Sequence, residues 1–179
     1  MNIVVPIKLV PDLVEELVVD ESGTALDPAC VRMMLNEFDD HAVEQAILLK
    51  EKSGGEVAVV ALDSDDVEDS LFAAAAKGAD RVVKLTTRGE RPMTNYAMAR
   101  AYANAVKTLR PELILCGVQA HNDLDGALGP MLAEQLGMPY VGYVCGVETG
   151  TVAITVRKEY PGGLVGVVEV TLPAVLGIQ

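Results

Sequence analysis

Along this chain, short apolar runs alternate with segments of helical period. Residues 3–10 are apolar except for Lys8 and predict a first strand. Pro6 inside that run lacks the N–H a central strand needs, which predicts a bulge or an edge there. Residues 11–36 lack periodicity and carry turn signals at 20–23 and at Asp27-Pro28, so they read as an irregular excursion. A helix then starts near Asn36. Its side chain is expected to cap the first turn, with Asp39 completing a near capping box. Ala42, Val43, Ala46 and Ile47 give that helix one apolar stripe, and Gly54 and Gly55 end it.

The same alternation recurs three more times. Residues 57–62 predict a strand, and a helix from 64–66 to Gly78 carries Val67, Leu71, Ala74 and Ala75 inward. Residues 81–85 predict a third strand, followed by a helix over 94–109 whose close-packing face is Ala97, Ala101 and Ala105. Residues 113–116 predict a fourth strand and 128–136 a fourth helix before Gly137. Four strand–helix repeats point to a doubly wound α/β fold, Rossmann-like, with a mainly parallel sheet and right-handed crossovers. After Val144 the pattern changes: residues 151–158 and 164–172 alternate around Pro161-Gly162-Gly163, which predicts an antiparallel hairpin. With no linker and no internal repeat, the 179 residues are expected to form one domain.

Composition agrees with a buried parallel sheet: half of the residues are hydrophobic and only 4% aromatic, so the core is aliphatic. The net charge of −12, with acidic residues along the whole chain, argues against nucleic acid as a partner. No apolar run reaches the ~18 residues of a membrane span, and the N-terminus lacks the charge order of a signal peptide. The expectation is a cytoplasmic protein without membrane insertion. Cys30, Cys116 and Cys145 lie far apart and are expected to be buried, reduced hydrophobes.

Candidate chemistry is sparse. Neither a P-loop nor the G-x-G-x-x-G fingerprint is present, and no serine sits in a nucleophile elbow. His41 and His121 have no metal-ligand spacing with the cysteines. Asp63, Asp65 and Asp66 follow a strand end and are expected to cap the second helix rather than bind Mg²⁺. One segment stands apart. The strand ILCG runs into GVQAHNDLDGALGP, a long polar loop opening the fourth helix, where backbone N–H groups form an anion site. Asp123 or Asp125 is alternatively a cap for that helix. In such a sheet, ligands bind beyond the carboxyl ends of the strands, near the switch in strand order.

The segments VVPIKLVPD, LNEFDDHAVEQAILLKE, KGADRVVKL, LILCGVQAHNDLDGALGPMLAEQLGMP and GGLVGVVEVTLPAVLGI follow a single pattern in order and spacing. On these residues the chain resembles the beta subunit of electron-transfer flavoprotein over essentially its whole length. The resemblance implies an electron-carrier subunit with no catalytic residues of its own. It implies pairing with an alpha subunit, which provides most of the site for the electron-carrying FAD, while the beta subunit holds AMP or, in bifurcating members, a second FAD. Carried over position by position, the cofactor site comprises Pro6, Asn36, Glu37, Phe38, Asp39 and Leu62. From the long loop it adds Cys116, Gly117, Gln119, Ala120, Asn122, Asp123, Asp125, Gly126, Ala127 and Leu128.

Three features depart from that family's pattern. Its loop reads like D-G-D-T-A-Q-V-G, whereas Asp125 and Ala127 here stand where the family presents neutral donors. A carboxylate beside a phosphate is repulsive, so an adenine nucleoside is expected to bind better than its nucleotide. Pro6 replaces a common alanine. The family also continues past LPAVLGI into a recognition loop and a basic arm, so a shortened form is expected. Two other readings stand beside this one: a nucleotide-binding module that stands alone or as a homodimer, and an enzyme acting on a nucleotide. The turn after the first strand, Lys8-Leu9-Val10-Pro11, lacks the glycines an enzyme of that kind would use.

Overall fold

The computed structural model describes residues 1–86, 93–150 and 153–179. Its elements run β1 (Asn2–Ile7), β2 (Leu9–Pro11), β3 (Met33–Leu35), α1 (Glu37–Ser53), β4 (Glu56–Leu62), α2 (Val67–Lys77) and β5 (Arg81–Leu85). They continue with α3 (Asn95–Leu109), β6 (Leu113–Gly117), α4 (Leu128–Leu136), β7 (Tyr140–Thr149), β8 (Ala153–Tyr160), β9 (Leu164–Thr171) and β10 (Ala174–Ile178). The main sheet has the order β5-β4-β1-β6-β10-β7-β8-β9. From β5 to β7 neighbouring strands are parallel, and β7-β8-β9 is an antiparallel meander. This is the mainly parallel α/β sheet expected, with the hairpin about Pro161. Of that hairpin's expected first strand, Thr151 and Val152 lie outside the described residues.

Side-chain alternation divides the core between the two faces of the sheet. Ile3, Val5, Ile7, Val57, Val59 and Ala61 join Ala42, Val43, Ala46 and Ile47 of α1 and Val67 and Leu71 of α2. Val4, Ala58, Val60, Ile114 and Cys116 turn the other way, onto α3 and α4. Because both faces are covered, the central strands are apolar at every position rather than at alternate ones. Each fully buried Val, Leu or Ile contributes roughly 1.5–3 kcal/mol.

Several expectations need correction. The first strand does not run to Val10. It stops at Ile7 because the backbone of Lys8 is diverted: its N–H donates to Asp39 Oδ2 (3.0 Å), and its carbonyl accepts from Asn36 N (3.1 Å). The chain then turns away into β2, which pairs only with β3. Pro6 is in register with Val60 of β4, while pairing with β6 ends at Val4. One flank of β1 is therefore open at Pro6, where a residue without an N–H is tolerated. The buried face of α3 is Ala99, Tyr102, Ala103 and Val106, with Ala97, Ala101 and Ala105 only half-buried, and Ala75 of α2 is exposed. Cys116 is buried, but Cys30 and Cys145 are exposed. Neither α1 nor α2 receives a side-chain cap from its N-cap residue, Asn36 or Asp66. Asp63 instead lies 3.6 Å from Lys84.

The sequence reading missed two strands of the main sheet, the ten-residue β7 and the five-residue β10, and β10 matters more for the topology. Its five residues are all buried, and it inserts between β6 and β7, parallel to both. The C-terminal run AVLGI thereby joins the doubly wound part of the sheet to the meander.

Candidate nucleotide-binding site

After β1 the chain winds outward through β4 to β5, then returns through α3 to place β6 on the other flank of β1. Strand order reverses between β1 and β6, and their carboxyl ends part there. In sheets of this class that crevice is the ligand position. One side chain ties its two sides together: Asp39, in the first turn of α1 and 2% exposed, accepts from Lys8 N through Oδ2 (3.0 Å) and from Gly117 N through Oδ1 (2.8 Å). Gly117 is required by this approach, because a Cβ there would lie 2.6 Å from Asp39 Oδ1. Burial pushes the Asp39 carboxyl up to about 6, against the opposing pull of the two backbone N–H groups.

The long loop is held by a second polar knot. Lys8 Nζ lies 2.8 Å from Asp123 Oδ1 and 3.3 Å from Asn95 Oδ1, with the lysine and aspartate side chains only 9% and 11% exposed. Asn95 Nδ2 donates to Asp123 Oδ1 (2.6 Å) and to Gly126 O (2.7 Å). Asp123 Oδ2 accepts from Ala120 N at 2.8 Å, and Asn36 Nδ2 donates to Gln119 O at 3.0 Å. Strand β1, helix α1, helix α3 and the loop are therefore cross-linked through five side chains.

Asp125 does not cap the helix that follows it in sequence, α4, whose N-cap residue Ala127 makes no side-chain cap. Its carboxylate reaches across to α3, accepting from Asn95 N (3.2 Å) and Tyr96 N (3.3 Å) beside the Thr94 cap. Desolvation raises its pKa, but these N–H groups outweigh that and leave it below the ordinary carboxylate value.

A cavity of about 570 Å³ opens beyond the ends of β1 and β4. Ile7, Leu9, Ala61, Leu62 and Met98 form an apolar wall, and Thr94, Asn95, Asn122 and Asp125 a polar rim. Behind it, the Tyr102 hydroxyl donates to Ile7 O and accepts from Leu62 N (3.2 Å), bracing the ends of the two strands. Among the described lining residues Lys8 is the one cation, and it is already paired with Asp123.

The expected site residues divide into several groups. Asn36, Asp39, Gly117, Gln119, Ala120, Asp123, Asp125 and Gly126 meet in the two networks above. Leu62, Asn122 and Asp125 line the cavity. Gln119 and Ala127 face a separate depression on the side of β7. Cys116 and Leu128 are core residues behind the site, and Pro6 is buried within β1. Glu37 is exposed, and half-buried Phe38 meets the ring of His41 edge-on at 6.0 Å. Sequence reasoning overlooked Lys8, Asn95 and Tyr102. Lys8 did leave a signal, as the lone charge inside an apolar run at a strand end. Among the described residues no three His, Cys, Asp or Glu side chains gather as a metal site, and no helix is long and apolar enough to cross a membrane.

A doubly wound, mainly parallel sheet flanked by helices and ending in an antiparallel meander defines a Rossmann-like α/β protein. Comparison with known proteins gives the family. The family model described as "Electron transfer flavoprotein domain" matches residues 26–179. The chain is 35% identical over 176 residues to the electron transfer flavoprotein subunit beta of Thermoanaerobacterium thermosaccharolyticum, covering 98% of this chain and 67% of that protein. To the subunit beta of Syntrophomonas wolfei it is 38% identical over 152 residues, 84% of this chain and 59% of the relative. Protein FixA of Azorhizobium caulinodans is 33% identical over 184 residues, covering 98% and 65%. The chain belongs to the electron-transfer flavoprotein family, on its beta-subunit side, and spans about two-thirds of the length of the first of these relatives.

Proposed function

We propose that this chain is a beta-type subunit of an electron-transfer flavoprotein, forming one nucleotide-holding domain. In this reading it binds the adenosyl part of AMP, or of an FAD shared with an alpha-type subunit, and carries electrons as part of that pair. The observation that carries the proposal is the cavity beyond β1 and β4, on the switch side of the sheet in a chain of this family. Its volume falls within the range of small-molecule sites, roughly 300–1,000 Å³. The apolar wall of Ile7, Leu9, Ala61, Leu62 and Met98 suits a purine ring, and Asn122 and Thr94 supply hydrogen-bonding groups for its polar edges or for a ribose.

The fit is better for the nucleoside than for its phosphate. Asp63 and Asp125 line the cavity beside Lys8, whose charge Asp123 already answers. No histidine or cysteine is among the described lining residues, which favours a holding role over catalysis.

Purification of the chain alone and together with an electron-transfer flavoprotein alpha subunit tests the pairing. The chain alone should be colourless, and the mixture should co-elute as a heterodimer with visible flavin absorbance. A chain that elutes apart from the alpha subunit, with flavin absorbance unchanged by mixing, would support a stand-alone module instead.

A further inference from the structure

On the other side of loop 117–128 from the nucleotide cavity, a depression of about 470 Å³ opens beside β7, β8 and β9. Its walls include Gln119, Tyr140, Tyr143, Lys158 and Tyr160. Three of the chain's five tyrosines are therefore gathered around one lysine. We propose that this depression is a second binding site, for a planar aromatic ring bearing a carboxylate or phosphate, independent of the adenosyl reading above.

Lys158 supplies the first argument. Its Nζ donates to Gly142 O at 3.1 Å and lies 5.7 Å and 5.3 Å from the ring centroids of Tyr143 and Tyr160. It makes no ion pair among the described residues, although the chain carries 26 acidic side chains to 14 basic ones. A half-buried ammonium held over two aromatic faces, with donors to spare, is suited to an anion.

Tyr140 supplies the second. Its ring and hydroxyl lie in a slot made by glycines on three elements: a Cβ on Gly129 would come within 2.8 Å of the ring, and one on Gly142 or Gly177 within 2.7 Å or 2.4 Å of the hydroxyl oxygen. The slot fixes the ring, while its hydroxyl has no hydrogen-bond partner among the described residues and is not sealed from solvent. Desolvation pushes the phenol above its ordinary pKa, so it stays protonated and able to donate. Tyr143 supplies the third. It holds φ at 57°, a conformation uncommon for a residue with a side chain, and one often found where a site orients a group. If these features served packing alone, the ammonium and the hydroxyl would merely be solvated, and neither ring size nor ligand charge would affect binding.

Amide chemical-shift titration of the chain with phenyl phosphate and with benzoate tests the site and separates the two anion types. Benzyl alcohol (ring without charge), inorganic phosphate and acetate (charge without ring) serve as controls. The proposal expects saturable shifts at Gly142, Tyr143, Lys158 and Tyr160 for at least one aromatic anion, and weaker or no saturation for every control. Lys158→Gln should weaken that aromatic anion about tenfold, leave benzyl alcohol unchanged and keep the melting temperature. Tyr140→Phe should weaken it to a smaller extent. Aromatic anions binding no tighter than the controls would overturn the proposal, as would unchanged affinity in a folded Lys158→Gln variant. Should that variant fail to fold, the comparison of ligands on the wild type decides alone.

Discussion

Asp39 Oδ1 lies 2.8 Å from the backbone nitrogen of Gly117, so a carboxylate on α1 closes the end of β6. The same group accepts from Lys8 at the end of β1, which makes it the clasp of the switch point. Asp39→Asn replaces one acceptor oxygen with a donor, leaving one of the two buried N–H groups unsatisfied. The expected cost is about 1–3 kcal/mol in denaturant unfolding.

The pH dependence of that cost follows from the raised pKa. The folded carboxyl titrates at about 6 against an ordinary 3.8, so the folded state binds the proton more tightly. The contribution of Asp39 to stability is therefore fullest below pH 4 and declines as pH rises to 6, by a total on the order of 3 kcal/mol. The margin of wild type over Asp39→Asn should shrink across that window in paired urea titrations. A margin that widens with pH would show that the two N–H bonds outweigh burial.

Lys8 and Asp123 form a nearly buried pair with Asn95 as a shared neighbour. Removing one partner strands the other charge, so Lys8→Met and Asp123→Leu should each cost roughly 3 kcal/mol. The double variant should cost clearly less than the sum. A double-mutant cycle by chemical denaturation measures the coupling, and strict additivity would mean the pair is solvated in solution.

Tyr102→Phe removes the hydroxyl joining Ile7 O to Leu62 N while keeping the ring's packing. It should destabilise by about 1–3 kcal/mol and speed hydrogen exchange of the Leu62 amide first. Exchange unchanged at Leu62 would assign the hydroxyl no bracing role.

The repeated strand–helix pattern was legible because both faces of the sheet are covered, which makes its strands continuous apolar runs. The hairpin of β8 and β9 was legible from alternation around Pro161-Gly162-Gly163, whereas β7, the first strand of the meander, was not. Strand β10 was not, because AVLGI follows the hairpin directly and only tertiary pairing sends it back between β6 and β7. The loop from Gly117 to Leu128 could be singled out by its polarity. What its aspartates bind could not, since Asp123 finds Lys8 115 residues away and Asp125 finds the start of α3. Local sequence made both look like caps of the helix that follows them. Asp125 itself raised the expectation of weak phosphate binding, but the commitment of Lys8 to Asp123 is visible only in three dimensions.

Calorimetric titration of the chain with adenosine and with AMP tests the central claim most directly, alongside Asp125→Asn, which keeps an oxygen for the α3 cap. The account predicts that adenosine binds at one site, that AMP binds more weakly, and that Asp125→Asn narrows the gap. Absence of binding by either compound would contradict the adenosyl site. Tighter binding of AMP, unchanged by the substitution, would contradict the charge balance assigned to it.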